Sequence, residues 1–156
     1  MSDRVYGKNI KIEQKKVKSF FNNMSVQGEN QLKSVNLQSD SHLSKERDKN
    51  ERDIIFPLLN LSGGEKVLEI GCGIGRFAEH IKRDIKIYQG IDFSQKFIKL
   101  AQTKFSEFKN IHFQLMSATK IEQKKLKVKP KFDLIVTGGR KDAIIPEVEP
   151  LWHKKE

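Results

Sequence analysis

The chain has a single cysteine, Cys72, among 156 residues. No intramolecular disulfide can form, and no cysteine-based metal framework can be built. The histidines His42, His80, His112 and His153 show no ligand spacing, so no metal site is expected. Nowhere do ~18 apolar residues follow one another, as a membrane-spanning helix would need. The start, Met1-Ser2-Asp3-Arg4-Val5-Tyr6-Gly7-Lys8, has no apolar core of signal-peptide length. Together these absences lead to the expectation of no membrane span, a reducing compartment and a cytoplasmic location. Hydrophobic residues are also scarce, at 37%. The length suffices for one domain with a sizeable core, so part of the chain is expected to be tail or solvated helix.

What is plentiful is positive charge. Lys and Arg number 30 against 20 Asp and Glu, a formal net charge of +10. Such a balance favours anionic partners, from nucleotides and phosphorylated sugars to nucleic acid. Lys120, Lys124, Lys125, Lys127, Lys129 and Lys131 concentrate in one stretch, which makes nucleic acid a candidate partner. The stretch has no interleaved aromatic residues for bases to stack on, and this favours a solvated surface loop.

Taken in order, the chain changes character twice. Val17, Phe20, Phe21 and Met24 fall at helical spacing, and residues 25–40 are polar without a period. A second helix is expected from Ser41, capped by Ser41 or Ser44. It runs through the mixed-charge stretch Glu46 to Asp53 and turns apolar at Ile54, Ile55, Leu58, Leu59 and Leu61. Pro57 should interrupt its last turn. Strand–helix alternation then sets in. Strands are expected at about residues 66–70, 86–91, 111–115 and 132–136, with helices at about 75–83 and from Ser94 through Phe97, Ile98, Ala101, Phe105 and Phe108. Repeated strand–helix units imply a parallel sheet with right-handed crossovers. Ile111, Phe113 and Leu115 alternate with His112 and Gln114, as in an edge strand with one wet face. Leu134 to Val136 is apolar without a break, as in an interior strand.

The most informative stretch is Val67-Leu68-Glu69-Ile70-Gly71-Cys72-Gly73-Ile74-Gly75-Arg76. An apolar run ends in three alternating glycines, and Ile74, Phe77, Ala78 and Ile81 then open a helical face. Glycines in such a strand–turn–helix junction let a ligand approach the backbone, and the helix start offers free N–H groups. A dinucleotide fingerprint needs its third glycine one residue later, where Arg76 stands, and a phosphate-binding P-loop needs Gly-Lys-Ser/Thr, which is absent. The second strand ends in an acid, Asp92, within Tyr88-Gln89-Gly90-Ile91-Asp92-Phe93-Ser94. Cys72 reads as a small turn residue rather than a nucleophile.

These two motifs, in order and at this spacing, resemble the class I S-adenosylmethionine-dependent methyltransferases. Ile111-His112-Phe113 and Phe132-Asp133-Leu134-Ile135-Val136 match the family's third and fourth strands. The resemblance implies an α/β, Rossmann-like parallel sheet of order 3-2-1-4 with an N-terminal helical extension. It divides the chain into residues 1–53 (extension), 54–137 (cofactor-binding core) and 138–156 (irregular tail). It further implies S-adenosyl-L-methionine as cofactor. Gly71, Cys72, Gly73 and Gly75 would lie against its methionine and ribose part, with Glu69 near the methionine end. Asp92 would take the ribose hydroxyls and Phe93 would pack beside the adenine. After the third strand the family often places an acid. Here Met116-Ser117-Ala118-Thr119 has none, so the resemblance leaves Ser117 or backbone groups around Ala118 to take the place of that acid. The implied activity is methyl transfer to an O, N or C acceptor, such as a sugar or another small anionic metabolite. No protein nucleophile is obligatory for this reaction, and the sequence marks no catalytic residue. The alternative from a different class is a non-catalytic basic module that binds nucleic acid or a protein.

The family sheet carries further strands beyond the fourth. Here the rhythm breaks after Val136, and an uncovered apolar strand edge invites association. Three arrangements answer this. The tail covers the edge with Ile144, Ile145, Leu151 and Trp152. A second copy pairs there. Or the chain is truncated or frame-shifted beyond the fourth strand.

Overall fold

The computed structural model describes residues 15, 16, 19, 41–129 and 131–137. The expected helix around Val17–Met24, the loop 25–40 and the tail 138–156 lie outside the residues described, apart from Ser19. Elements are numbered here from Ser41 onward.

Strand β1 (Lys66–Ile70) is the axis of the sheet. Its Val67, Leu68 and Ile70 are buried, which suits a strand with neighbours on both edges and layers on both faces. On one side β1 pairs in parallel with β2 (Ile87–Asp92), and β2 with β3 (Ile111–Leu115). On the other side it pairs in parallel with β4 (Leu134–Thr137). The resulting four-stranded order, β3-β2-β1-β4, is the one expected. Helix α2 (Arg76–Ile81) follows β1, and α3 (Gln95–Lys104) follows β2. The register aligns Ile70 with both Ile91 and Thr137, and Asp92 with Leu115. Every strand therefore ends on the same side of the molecule, and the loops that leave those ends meet there.

One face of the sheet carries the larger core. Val67, Tyr88 and Phe113 pack with Ala78 and Ile81 of α2 and Ile98 and Ala101 of α3. Ser94 caps α3 by accepting the Phe97 N–H, and Phe97, Ile98 and Ala101 form the buried face that the spacing predicts. The helix ahead of the sheet, α1 (Ser41–Leu58), has Pro57 in its last turn. Its Phe56 ring lies 5.1 Å from Phe77 and 5.2 Å from His80. Ile54 and Leu58, in the apolar end of the helix, are 64% and 78% exposed. At 100° per residue these two share one stripe, and Phe56, two residues from each, points to the opposite side. The turn from α1 into β1 is closed by Glu65, whose carboxylate accepts the N–H groups of Ser62 and Gly63 and the Ser62 hydroxyl.

The opposite face is covered without a long helix. Between β3 and β4 the chain makes two single-turn 3-10 segments, Ala118–Lys120 and Gln123–Lys125. It then lays Leu126, Val128 and Phe132 on Leu68, Ile70 and Ile91. The lysines of this connection are exposed, as expected of a solvated stretch. Its apolar residues were not expected to be core, yet Lys-Leu-Lys-Val-Lys over 125–129 alternates at a period of two and puts Leu126 and Val128 inside. Two glutamines fasten it. Fully buried Gln89 accepts the Val128 N–H, while Gln114 donates to the Lys125 carbonyl and accepts the Lys127 N–H. On β3, Leu115 was expected on the buried face but is 46% exposed. It stands at the strand's carboxyl end, where the sheet gives way to loops. Leu134, Ile135 and Val136 of β4 are half-buried rather than fully enclosed, because β4 is an outer strand among the described residues.

Candidate functional site

The turn after β1 is built from left-handed backbone. Gly71, Gly73 and Gly75 have φ of 78°, 54° and 80°, a region that side-chain-bearing residues seldom occupy. The Gly71 and Cys72 N–H groups both reach the Ile91 carbonyl, at 2.8 and 3.1 Å, which folds the turn over the end of β2. The Gly75 N–H closes it on the Cys72 carbonyl at 2.9 Å, and Gly75 then stands as N-cap of α2. Gly71 is exposed, while Cys72, Gly73, Ile74 and Gly75 are buried.

Asp92 ends β2 directly beside this turn. Its Oδ2 accepts the Gly73 N–H at 3.0 Å and its Oδ1 accepts the Ser94 N–H at 2.8 Å. The two sequence motifs are thus joined by a hydrogen bond between their defining residues. Asp92 is 6% exposed, and burial raises its carboxyl above the ordinary range against the pull of those N–H donors. Glu69, on β1 two residues before the turn, is as deeply buried. Burial pushes its pKa up to about 7, against the hydrogen bond from Tyr88 and the charge of Arg76, while Asp92 adds to the rise. The Cys72 thiol is pushed well above its ordinary value by burial and by these two acids, so it is held as a neutral thiol.

Phe93 follows Asp92 and is half-buried, and the Met116 N–H donates to the Asp92 carbonyl at 2.9 Å. That bond draws the loop after β3 toward the same place. Ser117 starts the first 3-10 turn, its Oγ 3.0 Å from the Thr119 hydroxyl, and half-buried Ala118 packs on the second core. Glu69, the glycine turn, Asp92, Phe93, Ser117 and Ala118 therefore all lie at or just beyond the carboxyl ends of β1, β2 and β3. Open α/β sheets bind ligands in the crevice outside these ends. Two further residues belong to the structure of the site, of which Tyr88 was missed by sequence reasoning. Tyr88, fully buried on β2, donates its hydroxyl to Glu69 Oε2. Arg76, the first residue of α2, supplies a positive charge that favours the Glu69 carboxylate. A tyrosine in a strand expected to lie inside the sheet was the available signal for the first, because a buried phenol needs a partner. Among the described residues no group of three or more His, Cys, Asp and Glu is placed to hold a metal ion, and no helix is long and apolar enough to cross a membrane.

The ionisation of Glu69 has a measurable consequence. Its folded value lies above that of the unfolded chain, so the neutral acid is the form that folding favours. The associated stability is complete below about pH 4.5 and is lost as pH rises through about 7. The shift corresponds to about 3 kcal/mol at its limit. Burial lowers the pKa of His112, which favours stability as pH rises over part of the same window, so Glu69 is isolated by difference. In urea titrations Glu69→Gln should match the parent near pH 5 and surpass it at pH 8. Parallel pH profiles for the two proteins would contradict the assignment.

A family model described as a methyltransferase domain matches residues 67–148. The match begins on the second residue of β1, takes in the glycine turn, Asp92 and all four strands, and continues past β4. The chain belongs to this methyltransferase family. Among curated proteins, phosphoethanolamine N-methyltransferase 1 of Arabidopsis thaliana is 33% identical over 97 residues, 62% of this chain and 18% of that protein. Carboxy-S-adenosyl-L-methionine synthase of Helicobacter pylori is 35% identical over 69 residues, 42% of this chain and 28% of that one. The chain thus spans less than a third of the length of these relatives. Among solved structures, Haemonchus contortus phosphoethanolamine N-methyltransferase 1 in complex with phosphoethanolamine and S-adenosylhomocysteine superposes with a TM-score of 0.65 at 22% identity, covering 80% of this chain and 25% of that one. Magnesium protoporphyrin IX methyltransferase of Synechocystis, with bound S-adenosylmethionine, gives 0.52 at 18%, covering 83% and 64%. These two likenesses establish the Rossmann-like fold.

Proposed function

We propose that the chain binds S-adenosyl-L-methionine outside the carboxyl ends of β1, β2 and β3, as the cofactor-binding part of a methyltransferase acting on an O, N or C acceptor. The observation that carries this reading is the direct bond between the left-handed glycine turn and the buried Asp92, in a chain of this family. The residues fit the cofactor. A carboxylate offers about four lone-pair positions. The Gly73 and Ser94 N–H groups take one position on each oxygen and the Phe93 N–H also favours the charged form, so the ribose hydroxyls would share the acceptor capacity that remains. Exposed Gly71 lets a ligand come against the backbone with no Cβ between them. The bound cofactor supplies an electrophilic methyl carbon on a sulfonium. The protein's part is to hold Glu69 and Asp92 as fixed acceptors at either end of the turn, to orient the ligand and to exclude water. Phe93 and the backbone around Ser117 and Ala118 would flank the adenine.

In this reading residues 54–137 form the cofactor-binding unit. The acceptor is a small molecule, and acceptor groups come from outside that unit. The relatives named as phosphoethanolamine N-methyltransferases, together with the net charge of +10, favour an anionic acceptor. A second reading, nucleic acid bound along the exposed lysines of the 120–131 connection, is favoured only by that exposure. It predicts oligonucleotide binding that weakens steeply with salt. The first reading predicts stabilisation by ligand. At a hundredfold excess over Kd, S-adenosylmethionine should raise stability by about 2.7 kcal/mol, seen as an upward shift in the thermal unfolding midpoint. An unchanged midpoint at millimolar cofactor would count against it.

A further inference from the structure

Tyr88 donates its hydroxyl to Glu69 from a position where it has no freedom to leave. Its ring is fully buried in the larger core, with the Phe113 ring centroid 5.5 Å away. In the β1–β2 register Glu69 stands opposite Gly90, and Tyr88 stands opposite Val67, two residues back on the same face. The two are diagonal neighbours, within reach of a long aromatic side chain. A buried phenol without a partner would be costly, so ring and carboxylate fix one another. We propose that Tyr88 is a positioning residue for the cationic methionine end of the cofactor: from inside the core, its hydroxyl holds the Glu69 carboxylate in place beside the glycine turn. This rests on the cofactor reading given above.

The titratable and charged groups around Glu69 are Arg76 from α2, Asp92 from the end of β2 and, through the turn, the neutral Cys72 thiol. Arg76 and the Tyr88 hydroxyl favour the carboxylate, whereas Asp92 and burial oppose it. Removing the hydroxyl shifts that balance toward the neutral acid. A cationic ligand needs the anion, so Glu69 then has to release a proton to solvent before or as the ligand binds. The effect of losing Tyr88 is therefore concentrated at neutral pH and fades in alkali. A structural role alone would weaken binding equally at every pH.

The test uses the full chain and Tyr88→Phe, which keeps the ring. Isothermal titration with S-adenosylmethionine from pH 6 to 9 should show the variant several-fold to tenfold weaker at pH 7 and within about twofold of the parent at pH 9. In parallel, carbon NMR titration of the Glu69 carboxyl without ligand should place its midpoint higher in the variant. A binding profile parallel to the parent's, or an unmoved carboxyl midpoint, overturns the role of Tyr88. A parent protein that is folded and does not bind S-adenosylmethionine overturns the cofactor reading instead, and the NMR titration separates the two failures.

Discussion

Gly75→Ala is expected to destabilise the protein by about 2–4 kcal/mol, enough to take a marginal domain close to unfolding. Two costs combine. The backbone at Gly75 has φ of 80°, where a side-chain-bearing residue costs about 1–2 kcal/mol. A Cβ there would also stand 2.7 Å from Phe105 Cε2 and 2.7 Å from Phe113 Cζ. Those rings are buried and pack on one another at 5.2 Å between centroids, so neither can yield without moving α3 or β3. Overpacking of this kind costs about 1–3 kcal/mol. Equilibrium unfolding in urea would measure the loss, and a change below about 0.5 kcal/mol would contradict it. Gly75 therefore serves the fold through close packing, in addition to any part it has in ligand approach.

Asp92→Asn is expected to weaken S-adenosylmethionine binding about tenfold to a hundredfold, the size of losing charge-assisted hydrogen bonds to the ribose. The substitution is close to isosteric but changes what the site can accept. Asp92 uses one oxygen for Gly73 and the other for Ser94, and both partners are N–H donors. An amide offers one oxygen and one NH2 group, so it must turn a donor toward one of those N–H groups. The turn is then loosened as well as the ligand contact. Thermal unfolding of the variant without ligand reports the first effect, and calorimetric titration below the unfolding midpoint reports the second. An affinity within twofold of the parent would remove Asp92 from the binding site.

Much of this was legible because the chain writes its sheet plainly. Val67 to Ile70 has no room for a wet face, the three glycines stop the strand, and Asp92 stands at the end of the next one. Their meeting follows from parallel pairing, which brings successive strand ends to one side. The strand order was legible only through the family that the two motifs resemble. Less visible were features that depend on a particular neighbour. Nothing local says that Tyr88 will bond Glu69, because that contact arises only once β1 and β2 are in register. The burial of Leu126 and Val128 was hidden by the lysines between them, which draw attention to charge and away from a period-two pattern. Nothing local says which of the apolar residues that end α1 will face inward. The docking of Phe56 on Phe77 and His80 turned the stripe of Ile54 and Leu58 outward. Leu115 followed the alternation of its strand and was overruled by its place at the strand's end.

The central claim is that the glycine turn and Asp92 form an S-adenosylmethionine site. Isothermal titration of the folded chain with S-adenosylmethionine and with S-adenosylhomocysteine tests it most directly. The account predicts saturable binding of both at one site per chain, weakened by Asp92→Asn. Absence of heat and of saturation with either compound, in a sample whose cooperative unfolding shows that it is folded, would contradict it.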